Sequence, residues 1–157
     1  MTISPTPSRS DLDESYMRAA IELARHVPQL PFGAVIVDRS SGKIIAGGFN
    51  QSAINPTWHG EIVALNDLAQ RGLHDRPSLA LYTTAEPCPM CMGAILWSQI
   101  EELIYGTSIR FLQQTGWRQI DILASEVLAR SPLGKCTIVP GVLEEECNAL
   151  FVEARRT

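Results

Sequence analysis

The chain is short of everything a membrane protein, a disulfide-stapled protein or a long nucleic-acid binder would need. No apolar run approaches the ~18 residues that a membrane-spanning helix requires. Basic residues are outnumbered: 13 Lys and Arg stand against 17 Asp and Glu, for a net charge of −4. The only dense basic cluster is Arg155-Arg156, so the sequence has no basic stripe of the kind that tracks a phosphate backbone. This disfavours a nucleic-acid substrate. Histidine occurs three times and cysteine four times. Residues 1–10 hold Pro, Ser and Thr but no basic region followed by an apolar core, the pattern of a short disordered lead-in rather than of a signal peptide. The expected compartment is therefore the cytoplasm, where closely spaced cysteines point to a metal before a disulfide.

What is present suits one ordinary globular domain over residues 11–157. Of the 157 residues, 45% are apolar and 19% charged, and a domain of that size buries roughly 70% of its unfolded surface without staples. Ser10 with Asp13 three residues on reads as a capping box. Leu12, Tyr16, Ala19, Ala20, Leu23 and Ala24 follow at helical spacing and should end before Pro28. Phe32 to Asp38 is a continuous apolar run, as expected of a strand covered on both faces. Ser41-Gly42 turns it into a second strand, Lys43 to Phe49. A loop over Asn50 to Pro56 leads to a helix from His59 to Arg71, with Gly72 to cap it. Strands are expected at Leu79–Thr84, Leu103–Gly106 and Cys136–Val139, and helices at Cys88–Gln99, Gly116–Arg130 and Leu143–Arg155. This alternation predicts a three-layer α/β/α domain with a mixed five-stranded sheet.

Two short segments carry chemistry. Trp58-His59-Gly60-Glu61 opens one helix, and Glu86-Pro87-Cys88-Pro89-Met90-Cys91 opens another. A Cys-x-x-Cys in a first helical turn points both sulfurs to one side, where free amide groups and the helix dipole favour thiolate. Pro suits that turn because its missing N–H costs little there. Cys88, Cys91 and the His59 imidazole make three ligands for one tetrahedral Zn2+, leaving a fourth position for water as catalytic sites do. Glu61, two residues past the ligand, can move protons beside the metal without binding it. A redox pair or a purely structural zinc explains the cysteines but gives Glu61 no task. Cys136 and Cys147 read as buried thiols, and His26 and His74 as surface or helix-end histidines.

His-x-Glu followed by Pro-Cys-x-x-Cys is the signature of zinc deaminases of nucleobases. Together with Pro31-Phe32-Gly33-Ala34-Val35, Gly48-Phe49-Asn50 and Leu81 to Ala85 in order and spacing, it makes the chain from Phe32 to Phe151 resemble the cytidine/deoxycytidylate deaminase superfamily. The nearest branch holds guanine deaminases, tRNA-adenosine deaminases and fungal-type cytosine deaminases. The resemblance implies a cytidine deaminase-like fold, one zinc per chain, hydrolytic release of ammonia from a nucleobase or nucleoside, and a homodimer. It also implies that Asn50 contacts the base and that the backbone near Ala85 and Glu86 lines the pocket, with Phe32 in the same motif set. Gly60 stands where Ala is commoner, and Trp58 is bulky where a small residue is usual, so Trp58 is a candidate to narrow the pocket. Phe111 and Trp117 are candidate lids, and Asp121 a candidate acceptor for a guanine N–H, with Glu126 a poorer one. Guanine is the expected substrate, with tRNA adenosine and cytosine-type bases as alternatives and a zinc-bound, non-catalytic nucleotide binder as the non-enzyme case. The segment Cys88 to Trp97 is apolar nearly all round, which supports a dimer independently.

Overall fold

A computed structural model describes residues 4–156; the expected lead-in at 1–10 lies partly, and Thr157 wholly, outside the described residues. The elements in chain order are α1 (Arg9–Ala24), β1 (Gly33–Asp38), β2 (Lys43–Phe49), α2 (Gly60–Gln70), β3 (Leu79–Ala85), α3 (Pro89–Trp97), β4 (Glu102–Thr107), α4 (Ile109–Gln114), α5 (Ala124–Ala129), β5 (Thr137–Val139) and α6 (Glu144–Arg156). The strands form one mixed five-stranded sheet in the order β2-β1-β3-β4-β5. β1 pairs antiparallel with β2 and β3, whereas β3, β4 and β5 run parallel. Gly42, at φ +71°, closes the β1–β2 hairpin. α3 provides the crossover that a parallel β3–β4 pair requires.

Alternation along the strands divides the core into two layers. Ala34, Ile36, Leu79, Leu81 and Leu103 face one side and pack with Leu65 and Leu68 of α2 and Met92, Ile95 and Leu96 of α3. Val35, Val37, Ala80, Tyr82 and Ile104 face the other and meet Met17, Ala20 and Ile21 of α1 and Cys147 of α6. Helices therefore cover both faces of the sheet, as three-layer α/β packing demands. A third cluster of Ala85, Leu112 and Phe151, with Phe32 and Trp117 against it, closes the end of the sheet where β3 finishes.

Three expectations are corrected. The capping box of α1 is Ser8 with Asp11 rather than Ser10 with Asp13. Asp13 is unable to reach back because it accepts from Arg9 Nε at 3.0 Å and from the Tyr82 hydroxyl at 2.5 Å. Of the expected helix over 116–130 only α5 forms; the stretch before it, 115–123, is irregular and follows a separate short helix, α4, that was not expected. Ser108 caps α4 through the Phe111 N–H at 3.1 Å, and Gly116 at φ +90° marks its end. Trp117 is drawn out of helical register into the aromatic cluster: its Nε1–H donates to the Phe151 carbonyl at 3.2 Å and its ring meets Phe32 and Phe151 edge-on. Finally, Cys147 is buried but Cys136 is only half-buried.

Candidate metal centre and base cavity

His59 and Cys88 occupy the same structural position, the N-cap of α2 and of α3, with extended backbone and no side-chain bond to their own helix. Both side chains are thus free to turn toward one point, and Cys91, one turn into α3 and buried, joins them. His59 Nδ1 lies 3.6 Å from each sulfur. All three ligand atoms fall within 4.8 Å of one another, the sole such group among the described residues. A tetrahedral ion with Zn–S near 2.3 Å and Zn–N near 2.05 Å requires an N···S separation of about 3.6 Å, so the donors fit zinc as they stand.

The electrostatics agree. Hydrogen bonds from Cys91 and His59 hold Cys88 down to about 4 despite its burial. Cys91 is pushed far up, by the Cys88 thiolate that it faces and by burial, and His59 is raised by its bond to Cys88. Two thiolates side by side are unfavourable until a cation binds between them, which is why metal affinity and thiol ionisation are linked.

Glu61 follows in the first turn of α2 and is buried at 3% exposure. Burial pushes it above the ordinary carboxylate range, and the Cys88 charge pushes the same way. Its Oε1 accepts from the Thr83 hydroxyl at 3.1 Å. Gly60 permits close approach at the start of this helix: a Cβ there would sit 2.7 Å from the Phe32 carbonyl oxygen. Absence of that Cβ lets the backbone of Phe32 and Gly33 pack directly against the start of α2.

A cavity of about 190 Å³ opens over His59, Glu61 and Cys88, walled by Phe32 and Trp117 and rimmed by Asn50, Ser52, Arg118 and Gln119. Asn50 Oδ1 accepts from the Ser52 N–H at 3.1 Å and the Ser52 hydroxyl at 2.7 Å. Its carbonyl is thereby committed, and its NH2 group is what remains for a ligand. Glu86 also borders the cavity, but its two oxygens are taken: Oε2 accepts from Ile109 N at 2.8 Å and Oε1 from Ala124 N at 3.0 Å. One carboxylate therefore caps the first turns of both α4 and α5.

Of the residues singled out by sequence, the structure gathers His59, Cys88, Cys91, Glu61, Asn50, Phe32, Glu86 and Trp117 around this cavity. Ala85 is buried beneath it among Leu112 and Phe151. Trp58 lies elsewhere, lining a surface groove with Leu23, Val63 and Arg71. Asp121 is exposed and held by Gln113 Nε2 at 3.0 Å, outside the lining. Phe111 and Glu126 also fall outside it. Sequence reasoning missed Ser52, Thr83, Arg118 and Gln119. The Asn-x-Ser spacing was a local signal for Ser52, whereas Arg118 and Gln119 arrive on an irregular segment that no periodicity marks. A wider cleft of about 1010 Å³ at the opposite ends of the strands is lined by Arg9, Asp75, Glu101 and Lys135. It holds no metal-ligand cluster among the described residues, so chemistry rather than size selects the smaller cavity.

Residues 10–107 match the family model described as the cytidine and deoxycytidylate deaminase zinc-binding region. The chain belongs to this family. It is 44% identical to the tRNA-specific adenosine deaminase of Haemophilus influenzae over 160 aligned residues, covering 94% of this chain and 87% of that protein. It is 33% identical to the guanine deaminase of Bacillus subtilis, covering 72% of this chain and 80% of that one. The solved guanine deaminase of Nitrosomonas europaea superposes with a TM-score of 0.77 at 26% identity, covering 100% of this chain and 97% of that one. The family is a zinc-binding one, and the His59, Cys88 and Cys91 group of this deaminase-family chain is suited to hold a single ion. Among the described residues no helix is long and apolar enough to cross a membrane.

Proposed function

We propose that this chain hydrolytically deaminates an adenine-type base carried in RNA, with His59, Cys88 and Cys91 holding zinc and Glu61 moving the protons. The observation that carries the choice of base is the donor-rich cavity. Asn50 presents its NH2 group, Arg118 and Gln119 add N–H donors at the rim, and Glu86 is saturated by two helix amides. Glu61 is the other carboxylate in the lining, and it is assigned to the proton transfers. Adenine, once its departing amine is set aside, offers N1, N3 and N7, all acceptors. Guanine adds an N1–H that needs an acceptor, and a site that leaves such a group unpaired discriminates against it. Asp121, expected to meet that group, is outside the cavity lining. The 44% identity to a tRNA-specific adenosine deaminase supports the RNA context.

Zinc held there would act as a Lewis acid and make water nucleophilic near neutral pH. Glu61 then accepts the proton that water loses, delivers it to the ring nitrogen beside the amino-bearing carbon, and protonates the leaving amine. The balance is base–NH2 plus H2O giving base=O plus NH3. Phe32 and Trp117, in edge contact with each other, form one apolar wall against which the base ring packs. Guanine remains the second reading, favoured by the likeness in shape to a guanine deaminase. We also infer a homodimer, because α3 leaves Met90 exposed, and Trp97 exposed beside Ile122.

The zinc-loaded protein should be incubated with tRNA, adenosine, adenine, guanine, guanosine and cytosine, following ammonia and, in tRNA, inosine. Inosine in tRNA is the expected product; ammonia from guanine alone would transfer the assignment to guanine. Glu61→Gln should keep one zinc per chain while lowering kcat by at least about 100-fold, and retained turnover would remove Glu61 from its role.

A further inference from the structure

The base cavity does not end at its rim. Ser52, His59, Arg118 and Gln119 also line an adjoining open groove of about 700 Å³, completed by Pro56 and Ile120. Apart from His59, turned toward the two sulfurs, Arg118 is the only ionisable side chain along that groove. The groove thus has a positive character in a chain whose net charge is −4. Arg118 is exposed and makes no hydrogen bond or ion pair with any described residue. Elsewhere the guanidiniums of Arg9, Arg18, Arg39 and Arg71 are engaged by carboxylates.

The chain on either side of Arg118 is nevertheless anchored. One residue earlier, Trp117 is anchored by its bond to the Phe151 carbonyl at 3.2 Å and by the edge contacts to Phe32 and Phe151. Three residues later, Asp121 is tied to Gln113 at 3.0 Å. The segment between these anchors is stretched across the mouth of the cavity, with Arg118 on the boundary between the inner and outer spaces. A base seated over Glu61 has its sugar leave through this mouth. Ser52 and Gln119 supply polar contacts for hydroxyl groups there, and Ile120 an apolar edge. The next group along a nucleotide is a phosphate, and a planar guanidinium matches its oxygens in charge and geometry.

We propose that the outer groove is a phosphate subsite and that Arg118 is its anion-contacting residue, so that this chain selects bases carrying ribose phosphate over free bases and nucleosides. The inference rests on the reading of the inner cavity as a base site. It is indifferent to which base is deaminated, and the phosphate is either that of a mononucleotide or one flanking the base in a strand.

The test uses binding to the zinc-loaded Glu61→Gln protein, with Arg118, Arg118→Lys, Arg118→Ala and Arg118→Glu compared. Adenosine is titrated against AMP, guanosine against GMP, and both pairs against a short adenosine-containing oligoribonucleotide, at two salt concentrations. The phosphorylated member of a pair should bind more tightly. That ratio should fall about tenfold in Arg118→Ala, vanish in Arg118→Glu and survive largely in Arg118→Lys. Gain confined to the oligoribonucleotide, with a salt slope reduced by about one in Arg118→Ala, identifies a strand phosphate; gain already complete with AMP or GMP identifies a mononucleotide. No gain over the nucleoside in either the mononucleotide or the oligoribonucleotide, or a gain that ignores Arg118→Ala and Arg118→Glu, would overturn the subsite. Failure of the wild-type protein to release ammonia from any substrate would instead reject the reaction and leave this ratio to be judged on its own.

Discussion

A hydroxyl carries one proton, and Thr83 holds its hydroxyl 3.1 Å from two acceptors, Glu61 Oε1 and the Ala85 carbonyl. Donation to Glu61 suits the ionised carboxylate. When Glu61 carries the proton it can donate to the Thr83 oxygen, which then donates to Ala85. One fully buried side chain therefore serves both protonation states of Glu61 without moving the backbone. Thr83→Val preserves shape and volume but removes this partner, and a hydrogen bond to a charged group is worth about 1.5–3 kcal/mol. The expected result is a kcat lowered by roughly 10- to 100-fold with KM and zinc content little changed, and recovery of most of the rate in Thr83→Ser. If Thr83→Val lost stability and KM in proportion to kcat, the hydroxyl would be a packing feature and not a steering one. The place of Glu61 at the cavity was legible in the sequence, since it lies two residues past the candidate ligand His59. Thr83 was not, because its significance depends on β3 passing beside α2.

Glu86 acts at the scale of whole elements. Its two oxygens receive the first N–H groups of α4 and α5, helices that start fifteen residues apart in sequence. Helix starts need such partners, and six-residue helices have little stability of their own. The carboxylate thereby fixes both ends of the 115–123 segment that brings Trp117, Arg118 and Gln119 to the cavity. Glu86→Ala strands two buried donors and should cost about 3 kcal/mol, roughly 10 °C in Tm for a domain of this size. Hydrogen exchange at the Ile109 and Ala124 amides should quicken selectively. Unchanged denaturation together with unchanged exchange would refute the stapling role. This long-range cap also explains where the sequence misled. β1, β2 and β3 announce themselves by continuous apolar runs and the Ser41-Gly42 turn, and α2 and α3 by their local start and stop residues. Trp117, Ile120 and Ala124 share helical spacing by coincidence. What breaks the helix is a carboxylate some thirty residues upstream and an aromatic pocket built with α6, neither visible in a local window.

At the scale of the molecule, α3 is apolar all round, and the chain covers only part of it. Cys91, Met92, Ile95 and Leu96 are buried against the sheet and α2, whereas Trp97 is 74% exposed and Met90 38%. Pro89, Gly93 and Ile122 extend the same surface into an apolar groove of about 500 Å³ beside α5. An exposed tryptophan beside an isoleucine, on a helix that also exposes a methionine, is the composition of an interface centre rather than of ordinary surface. α3 also begins with the two cysteines suited to hold the metal, so any partner seated on it would brace the helix that carries Cys88 and Cys91. A second copy of the chain would satisfy this surface with its own equivalent patch, as a two-fold interface requires. Sedimentation at micromolar concentration should therefore give twice the 17.2 kDa chain mass. Trp97→Glu, which places a charge at the centre of the patch and touches no core residue, should yield folded monomers with unchanged far-ultraviolet dichroism and faster zinc loss to a chelator. A wild-type monomer, or a Trp97→Glu protein that remains dimeric, would mean that this face serves another partner and that the cysteine-bearing helix stands without support from a second chain.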